Sequence, residues 1–251
     1  MGSTGNDRFN EEAATWDSDP TVNKASEEAF RAIVDTFPQL RQNGEETIDV
    51  LEIGCGTGLL SLRIAPLVRS LVSVDAAPGM ITALESKLRD PSAPKNITPL
   101  ALILTDPSDR NLPPQSPSNP EGPRRQFHLI LSHLVLHHIP DLRETLQTMY
   151  DCLLPEGSVA LTDFEDFGPE ARRFHPESKM EGVERHGIHA ESFAQLMREV
   201  GFVDVDVRPK WKVIKDVERF PGEWGPKKPS GEGVTLEKME FPFLLCRGKK
   251  A

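Results

Sequence analysis

The stretch Val50-Leu51-Glu52-Ile53-Gly54-Cys55-Gly56-Thr57-Gly58 places three glycines, separated by small residues, directly after an apolar run. The run is typical of a buried strand, and the spacing of apolar residues after Gly58 predicts a helix. Glycine adopts positive φ without strain and lets a ligand lie against bare backbone. The N-terminus of the following helix adds free N–H groups and a partial positive charge. The stretch therefore predicts a ligand-binding loop, the alternative being a simple tight turn from strand to helix.

The spacing of these glycines narrows the class of ligand. A dinucleotide-binding loop has the pattern G-x-G-x-x-G, and a phosphate-binding loop ends in G-K-S/T. This chain has G-x-G-x-G with no lysine after it, and acidic Glu52 stands near the end of the strand. A carboxylate there would repel pyrophosphate but suits a ligand that carries an ammonium and a sulfonium group.

Two aspartates follow the next two predicted strands. Asp75 ends the second strand, where a carboxylate can accept hydrogen bonds from both ribose hydroxyls of a nucleoside. Asp106 follows the third strand, predicted over residues 100–105, and could accept a hydrogen bond from an adenine amino group. One aspartate after a strand is usually a turn or cap residue. Two of them at successive strand ends, beside a glycine loop, indicate a nucleoside site.

Strand-like and helix-like segments alternate along most of the chain. Seven segments have the apolar, β-branched character of strands, over residues 47–53, 71–75, 100–105, 127–132, 158–163, 203–207 and 241–246. Helical patterns of ten or so residues separate most of them. This order predicts an α/β fold with a doubly wound, seven-stranded, mostly parallel sheet and helices on both faces.

Three segments lie outside this alternation. Residues 1–45 precede the first strand and include an amphipathic helix near residues 22–37, so we expect an N-terminal helical lid. The helix could instead only pack on the flank of the sheet. Residues 107–126 are rich in proline and serine and predict a flexible exposed loop. Residues 164–189 separate the fifth strand from its helix and predict a substrate cap.

Composition excludes several classes of function. The chain of 251 residues has 29 basic and 39 acidic residues, a net charge of −10, which argues against nucleic acid or an anionic membrane as the main partner. Its three cysteines are far apart and indicate a reducing compartment, and the N-terminus lacks a secretory signal, so we expect a cytoplasmic protein. Neither a zinc-binding cysteine pattern nor a carboxylate cluster is evident, so the sequence predicts no metal site. A monomer and a homodimer both remain open.

Together these motifs resemble a known family. Residues 49–58 resemble, almost residue for residue, the first motif of the class I S-adenosylmethionine-dependent methyltransferases. Residues 72–75 are similar to their acidic ribose-binding loop, and residues 104–106 to their adenine-recognition motif. The stretch 127–139 is similar to the fourth-strand motif of the small-molecule branch, the ubiquinone/menaquinone-biosynthesis (type 11-like) kind. The chain departs from this pattern at His128, where the family commonly has aspartate, and in the length of the loop after Pro113.

The resemblance implies a Rossmann-like methyltransferase domain over residues 46–251, with S-adenosylmethionine as cofactor and S-adenosylhomocysteine as product. Carried over position by position, it implies that the cofactor is contacted by Glu52, Gly54, Cys55, Gly56, Gly58, Asp75, Ala76, Met80, Thr105, Asp106, Ser132 and His133. The expected partner is a small-molecule acceptor. Aromatic residues in the lid and cap favour an apolar or aromatic one and are Phe9, Trp16, Phe167 and Phe174.

The catalytic residues stay unassigned from the sequence. A general base is needed only where the acceptor carries a proton at working pH. The candidates are His133, His137, His175 and His186, and each could equally be a packed or surface imidazole. The acceptor atom, whether O, S, N or C, is also open.

Other functions carry less support. An adenine or glutamine N-methyltransferase would have N/D-P-P-Y/F after the fourth strand, where this chain has Ser132-His133-Leu134-Val135. A metal-dependent catechol methyltransferase would need a carboxylate cluster, and a nicotinamide dehydrogenase a different glycine spacing. The alternative from another class is a catalytically silent, S-adenosylmethionine-binding regulatory subunit of a protein complex.

Overall fold

A computed structural model describes residues 6–40, 48–226, 228–230 and 234–251. The chain forms one seven-stranded sheet in the order β3-β2-β1-β4-β5-β7-β6. β7 runs antiparallel to its neighbours β5 and β6, and the other neighbouring strands pair in parallel. The strands are β1 (Asp49–Ile53), β2 (Ser70–Asp75), β3 (Ile97–Ala101), β4 (Phe127–His133), β5 (Leu153–Phe164), β6 (Val203–Val217) and β7 (Glu237–Lys249). The predicted mostly parallel sheet is confirmed.

Helices cover both faces of this sheet. The described α-helices are α1 (Asn6–Glu12), α2 (Pro20–Thr36), α3 (Ser61–Ile64), α4 (Pro78–Leu88), α5 (Leu142–Cys152) and α6 (Ala190–Val200). Side chains alternate along β1, so that Val50 packs with α2, α3 and α4 on one face. Leu51, one residue on, packs with α5 and α6 on the other. Both faces are buried, which gives the doubly wound arrangement that the sequence predicts.

Several predicted elements have different bounds in the structure. β3 ends at Ala101, four residues before the predicted end, because its pairing with β2 stops where Asp75 meets Ala101. β6 and β7 are much longer than predicted. They pair with each other along Val203 to Val217 of β6, and this pairing continues past the point where β5 ends. The helix predicted after the glycine loop is short and continues as a 3-10 turn, because Pro66 cannot donate a helical hydrogen bond.

The Pro-rich segment 107–126 is held by a few local contacts. Leu112 is buried, and Pro114 forms an isolated antiparallel bridge with Arg124. The Arg124 guanidinium donates to the carbonyls of Leu112, Pro120 and Gly122. The flexibility of this loop stays a prediction, as does the domain boundary at residue 45, which lies outside the described residues. Among the described helices, none combines the length and the apolar character needed to cross a membrane.

Candidate active site

The glycine loop begins where β1 ends and has a left-handed backbone. Gly54 has φ +72° and Gly56 has φ +53°. A Cβ atom added at Gly54 would lie 2.2 Å from Cγ2 of Val135. The amides of Gly54 and Cys55 donate to the carbonyl of Val74 at 2.8 and 3.0 Å, which ties the loop to the end of β2. The loop therefore needs glycine for both its conformation and its packing.

Asp75 holds this loop from the end of β2. One carboxylate oxygen accepts a hydrogen bond from the Gly56 amide at 2.7 Å, and the other accepts one from the Ala77 amide at 2.8 Å. Burial raises the pKa of Asp75, and these two hydrogen bonds oppose that rise. A carboxylate has about four lone-pair sites. Asp75 can thus brace the loop and still accept hydrogen bonds from a ribose.

Glu52 lies behind the loop and is only 1% exposed. The Ser61 hydroxyl donates to its carboxyl group, and the Ser73 hydroxyl lies 3.1 Å from that of Ser61. Burial raises the pKa of Glu52 to about 8, with the nearby charge of Asp75 adding to the rise and the hydrogen bond from Ser61 opposing it. In the free protein at neutral pH, the Glu52 side chain is therefore mainly protonated.

A cleft of about 990 Å³ opens beyond the carboxyl ends of the strands, where the sheet order reverses between β1 and β4. One end of this cleft, which we call the cofactor end, is lined by predicted cofactor residues. These are Glu52, Gly54, Cys55, Gly56, Asp75, Ala76, Met80 and Thr105, with His133 where the cofactor end meets the rest of the cleft. The bare backbone of the loop and the free lone pairs of Asp75 suit S-adenosylmethionine.

Three predicted cofactor residues lie outside this lining. Asp106 is exposed and accepts a hydrogen bond from the Ser108 amide at 2.7 Å, whereas Thr105 beside it lines the cleft. The predicted contact of Asp106 with adenine stays a prediction. Gly58 faces α4 instead, where a Cβ would lie 2.4 Å from Leu84. Ser132 is buried under the loop and donates to the Ile53 carbonyl at 2.8 Å.

The opposite end of the cleft, the acceptor end, is built on the turn that follows β4. Leu134 in this turn has φ +57°, a strained value for leucine. His133, just before it, places Nδ1 2.8 Å from the Thr162 hydroxyl, which itself donates to the Ser132 carbonyl. When the Thr162 hydroxyl donates to that carbonyl, Nδ1 of His133 carries the ring proton and Nε2, which is buried and has no partner among the described residues, is an acceptor. Burial lowers the pKa of His133 to about 4, so this imidazole is neutral.

His137 forms a buried pair with Asp163 of β5. The two side chains are 2% and 0% exposed, and Nδ1 of His137 lies 2.8 and 3.0 Å from the two carboxylate oxygens. The His137 amide also donates to this carboxylate at 3.1 Å. Nε2 of His137 is buried and has no hydrogen-bond partner in the described structure. The pair fixes the orientation of the His137 ring and leaves its Nε2 atom without a hydrogen-bond partner among the described residues.

Two further histidines pack beside His137. His138 lies with its ring centroid 3.9 Å from that of His137, and its Nδ1 is 2.6 Å from the Gly182 carbonyl. The ring of His175 is 5.0 Å from His137. Arg185 of the cap segment donates to three carbonyls of the turn, those of Leu136, Ile139 and Pro140. The remaining candidate, His186, lies outside the cleft lining.

The N-terminal segment crosses the mouth of the cleft. Phe9 makes an edge contact with the ring of His138 at 5.1 Å, and Trp16 lies against Phe9. The Asp17 carboxylate accepts a hydrogen bond from Thr57 of the glycine loop and pairs with Lys87 of α4. Phe174 also lines the cleft, whereas Phe167 is 40% exposed and lies outside it. The predicted lid segment is thus placed at the cleft, and its opening and closing stay a prediction.

Several residues of the acceptor end had no signal in the sequence. Asp163 and His138 reach the site through pairings that only the fold creates. Lys215 and Phe243 come from β6 and β7, which form one wall of the cleft and pair with each other past the end of β5. Burial lowers the pKa of Lys215 to about 8, and its ammonium donates to the Phe174 carbonyl at 2.7 Å.

Comparisons with known proteins agree with this architecture. The family described as "Methyltransferase domain" matches residues 25–207. An uncharacterized methyltransferase of Schizosaccharomyces pombe is 24% identical over 163 residues, which cover 64% of this chain and 55% of that protein. The malonyl-[acyl-carrier protein] O-methyltransferase of Priestia megaterium is 27% identical over 160 residues, which cover 62% of this chain and 50% of that protein. The chain spans about half the length of these relatives.

Solved structures share the fold at low sequence identity. YcgJ of Bacillus subtilis superposes with a TM-score of 0.64 at 14% identity, covering 89% of this chain and 98% of that one. The N-methyltransferase NodS of Bradyrhizobium japonicum, solved with S-adenosylhomocysteine, gives a TM-score of 0.56 at 16% identity and covers 99% of each chain. The chain therefore belongs to the family described as a methyltransferase domain, and it shares its fold with these solved structures.

Proposed function

We propose that this chain transfers a methyl group from S-adenosylmethionine to a small, largely apolar acceptor bound at the acceptor end of the cleft. The observation that carries the proposal is the single cleft that joins the glycine loop and Asp75 to the histidines of the β4 turn. Cofactor and acceptor can then meet in one enclosed space. The cofactor supplies a methyl group that is already activated as a sulfonium.

The chain's part in the reaction is to position the acceptor and keep water out. Orientation of this kind can supply about 7–11 kcal/mol of a reaction barrier. Arg185 of the cap segment and Asp163 of β5 hold the β4 turn in place through hydrogen bonds. Phe9 and Trp16 cover the mouth of the acceptor end. Packing of this kind reduces the freedom of a bound acceptor and shields the reacting atoms from solvent.

The lining of the acceptor end supports an aromatic or apolar acceptor with at least one hydrogen-bonding group. Its apolar wall is formed by Phe9, Trp16, Leu134, Phe174, Val213 and Phe243. The bare Nε2 atom of His133, which is neutral, would accept a hydrogen bond from an O–H or N–H group of the acceptor. A pocket with an apolar wall and a few polar groups is typical of small-molecule sites.

A binding and transfer experiment tests this function. S-Adenosylhomocysteine should bind with micromolar affinity, about −8 kcal/mol by calorimetry. Asp75→Asn should weaken it by roughly tenfold to a hundredfold, because the ribose hydroxyls lose a charged acceptor worth about 1–3 kcal/mol. Asp106→Asn is the matched control and should leave the affinity unchanged. Equal losses in both variants would place adenine beside Asp106, against the geometry described above.

Turnover is then measured with methyl-labelled cofactor and a panel of phenols, carboxylic acids, thiols and amines. Transfer of the labelled methyl group to an aromatic or otherwise apolar member of the panel supports the proposal. Asp75→Asn should abolish this transfer, and Asp106→Asn should retain it. Tight cofactor binding with no transfer across the panel would instead support the alternative, a catalytically silent regulatory subunit.

A further inference from the structure

Three imidazoles meet at the acceptor end of the cleft. His137, His138 and His175 each offer one ring nitrogen, and these nitrogens all lie within 4.8 Å of one another. The ring centroids of His138 and His175 are 5.9 Å apart, and each ring is closer than that to His137. Two of the three are consecutive in sequence, whereas His175 comes from the cap segment.

The protons of two of these rings are engaged elsewhere. Nδ1 of His137 lies against the Asp163 carboxylate, and Nδ1 of His138 against the Gly182 carbonyl. An oxygen acceptor requires a proton on the nitrogen it faces, so in neutral rings both Nε2 atoms carry lone pairs. When they are neutral, these rings therefore offer lone pairs to one shared space.

Hydrogen bonds among the three rings cannot satisfy these lone pairs. His175 is the one ring with a proton left to share, and it can serve at most one neighbour. Nε2 of His137 and Nδ1 of His175 are both buried and without a partner in the described structure. Unpartnered buried nitrogens cost roughly 1–3 kcal/mol each. A cation that accepts all three lone pairs would remove that cost.

We propose that His137, His138 and His175 form a binding site for a divalent transition-metal ion, which Asp163 and the Gly182 carbonyl orient through His137 and His138. Carboxylate and carbonyl partners on the far nitrogen are the arrangement that fixes metal-bound imidazoles. A tetrahedral ion about 2.0–2.1 Å from each nitrogen sets the nitrogens roughly 3.3–3.4 Å apart. The rings must therefore close by up to about 1.5 Å, which rotation about side-chain bonds can provide.

Imidazole ligands select the class of ion. Neutral imidazole suits zinc, cobalt, nickel, copper and ferrous iron and suits magnesium or calcium poorly. Three histidines leave a fourth position open on a tetrahedral ion, as in catalytic zinc sites. The buried carboxylate of Asp163 supplies negative charge, while Lys215 and Arg8 are cations that act on His175.

His137, His138 and His175 line the part of the cleft that is assigned to the acceptor. If the acceptor is held through an oxygen, the ion would bind that oxygen and lower the pKa of its O–H, and the proton would leave to solvent. That role rests on the proposed function, whereas binding of the ion does not. The two are therefore tested by separate measurements.

The test uses full-length protein purified without a polyhistidine tag and treated with chelator. Cobalt(II) is titrated while visible d–d absorption is recorded, since a four-coordinate cobalt site absorbs far more strongly than aqueous cobalt(II). We expect one equivalent to bind and zinc(II) to displace it. His138→Ala and His175→Ala should each abolish the absorption band, and Asp163→Asn should weaken binding about 10–100-fold.

His186→Ala is the matched control, because His186 belongs to the same cap segment, has a buried unpartnered Nδ1 and lies outside the cleft lining. It should bind cobalt as the parent chain does. The affinity of each variant for S-adenosylhomocysteine is measured in parallel. Unchanged affinity shows that the variant is folded, and the same measurement tests the cofactor site independently of the metal site. Cobalt bound equally by folded His138→Ala and His175→Ala variants, or bound by none of the proteins, would overturn the proposed site. Cobalt binding without cofactor binding would keep the site and refute the proposed function.

Discussion

Glu52 is an acid kept mainly neutral inside the folded protein. Its pKa is about 8 in the fold, against about 4.5 for an ordinary glutamate. The unfolded chain therefore loses this proton more readily, and stability should fall as pH rises from about 4.5 to about 8. The shift corresponds to at most about 4–5 kcal/mol over that window. An ammonium or sulfonium group bound nearby would favour the ionised form and offset part of this loss.

Glu52→Gln should therefore stabilise the free protein increasingly as pH rises. Urea unfolding at pH 5, 7 and 8.5 measures the difference in free energy from the parent chain, which should be small at pH 5 and several kcal/mol at pH 8.5. The same variant should bind S-adenosylhomocysteine more weakly at pH 8.5. Glu85→Gln, at an exposed position on α4, is the control and should show no such trend. A pH-independent difference for Glu52→Gln would mean that the carboxyl is ionised in the fold.

Gly54 combines a left-handed backbone with a close neighbour. Gly54→Ala should destabilise the fold by about 2–5 kcal/mol, the sum of backbone strain near 1–2 and overpacking near 1–3 kcal/mol. Gly222 has a similar φ of +79°, but a Cβ there would meet nothing within 4 Å. Gly222→Ala should thus cost the strain alone, about 1–2 kcal/mol. Denaturant unfolding of both variants separates the two effects, and equal costs would show that Val135 moves aside.

At the level of elements, local sequence marks the ends of some helices more clearly than the ends of strands. Pro78 is the first residue of α4, and Gly201 caps the end of α6 with a left-handed backbone. The end of β3 depends on its pairing with β2, and the length of β6 and β7 on their pairing with each other. Such contacts leave no local pattern, which is why the place of Lys215 in the cleft lining does not follow from the sequence.

The N-terminal segment should act as a lid that α2 anchors. α2 buries Ala25, Ala29 and Ile33 against the body of the protein, whereas residues before Pro20 contact the cleft through Phe9, Trp16 and Asp17. Removing residues 1–19 should therefore leave the domain folded but abolish turnover. In the full chain, S-adenosylhomocysteine should slow amide exchange in residues 9–30.

Asp17→Ala provides a milder version of the same test. It removes the contacts with Thr57 and Lys87 and leaves the aromatic residues in place. Amide exchange in the N-terminal segment should become faster in the free protein, and S-adenosylhomocysteine should still slow it. For the truncation described above, full turnover by the chain without residues 1–19 would show that the N-terminal segment only packs against the protein.

At the scale of the whole molecule, positions along the chain account for the cofactor end of the cleft more directly than for the acceptor end. Gly54, Gly56 and Asp75 lie at strand ends that any doubly wound sheet brings together, so their roles follow from their positions along the chain. The acceptor end combines the β4 turn, the cap segment, the N-terminal segment and the outer halves of β6 and β7. Its geometry depends on how four separated segments pack, and a single sequence carries little information on that.

The packing of the sheet predicts how the whole molecule unfolds. The two large apolar clusters lie on opposite faces of the same sheet, and each includes residues from β1, β4, β5 and β7. Shared strands should make unfolding a single cooperative transition. S-Adenosylhomocysteine at about 100 times its Kd should add about 2.7 kcal/mol of stability and raise the Tm by roughly 5–10 °C.

Calorimetry with near-UV and far-UV circular dichroism tests this expectation, since the three transitions should coincide with and without ligand. The outer halves of β6 and β7 are the region where cooperativity is weakest, because they pair with each other and pack mainly on a separate cluster around Phe164, Phe174 and Phe241. Two transitions, of which the ligand shifts only one, would show that this wall of the cleft unfolds by itself. The acceptor end would then be able to open while the cofactor stays bound.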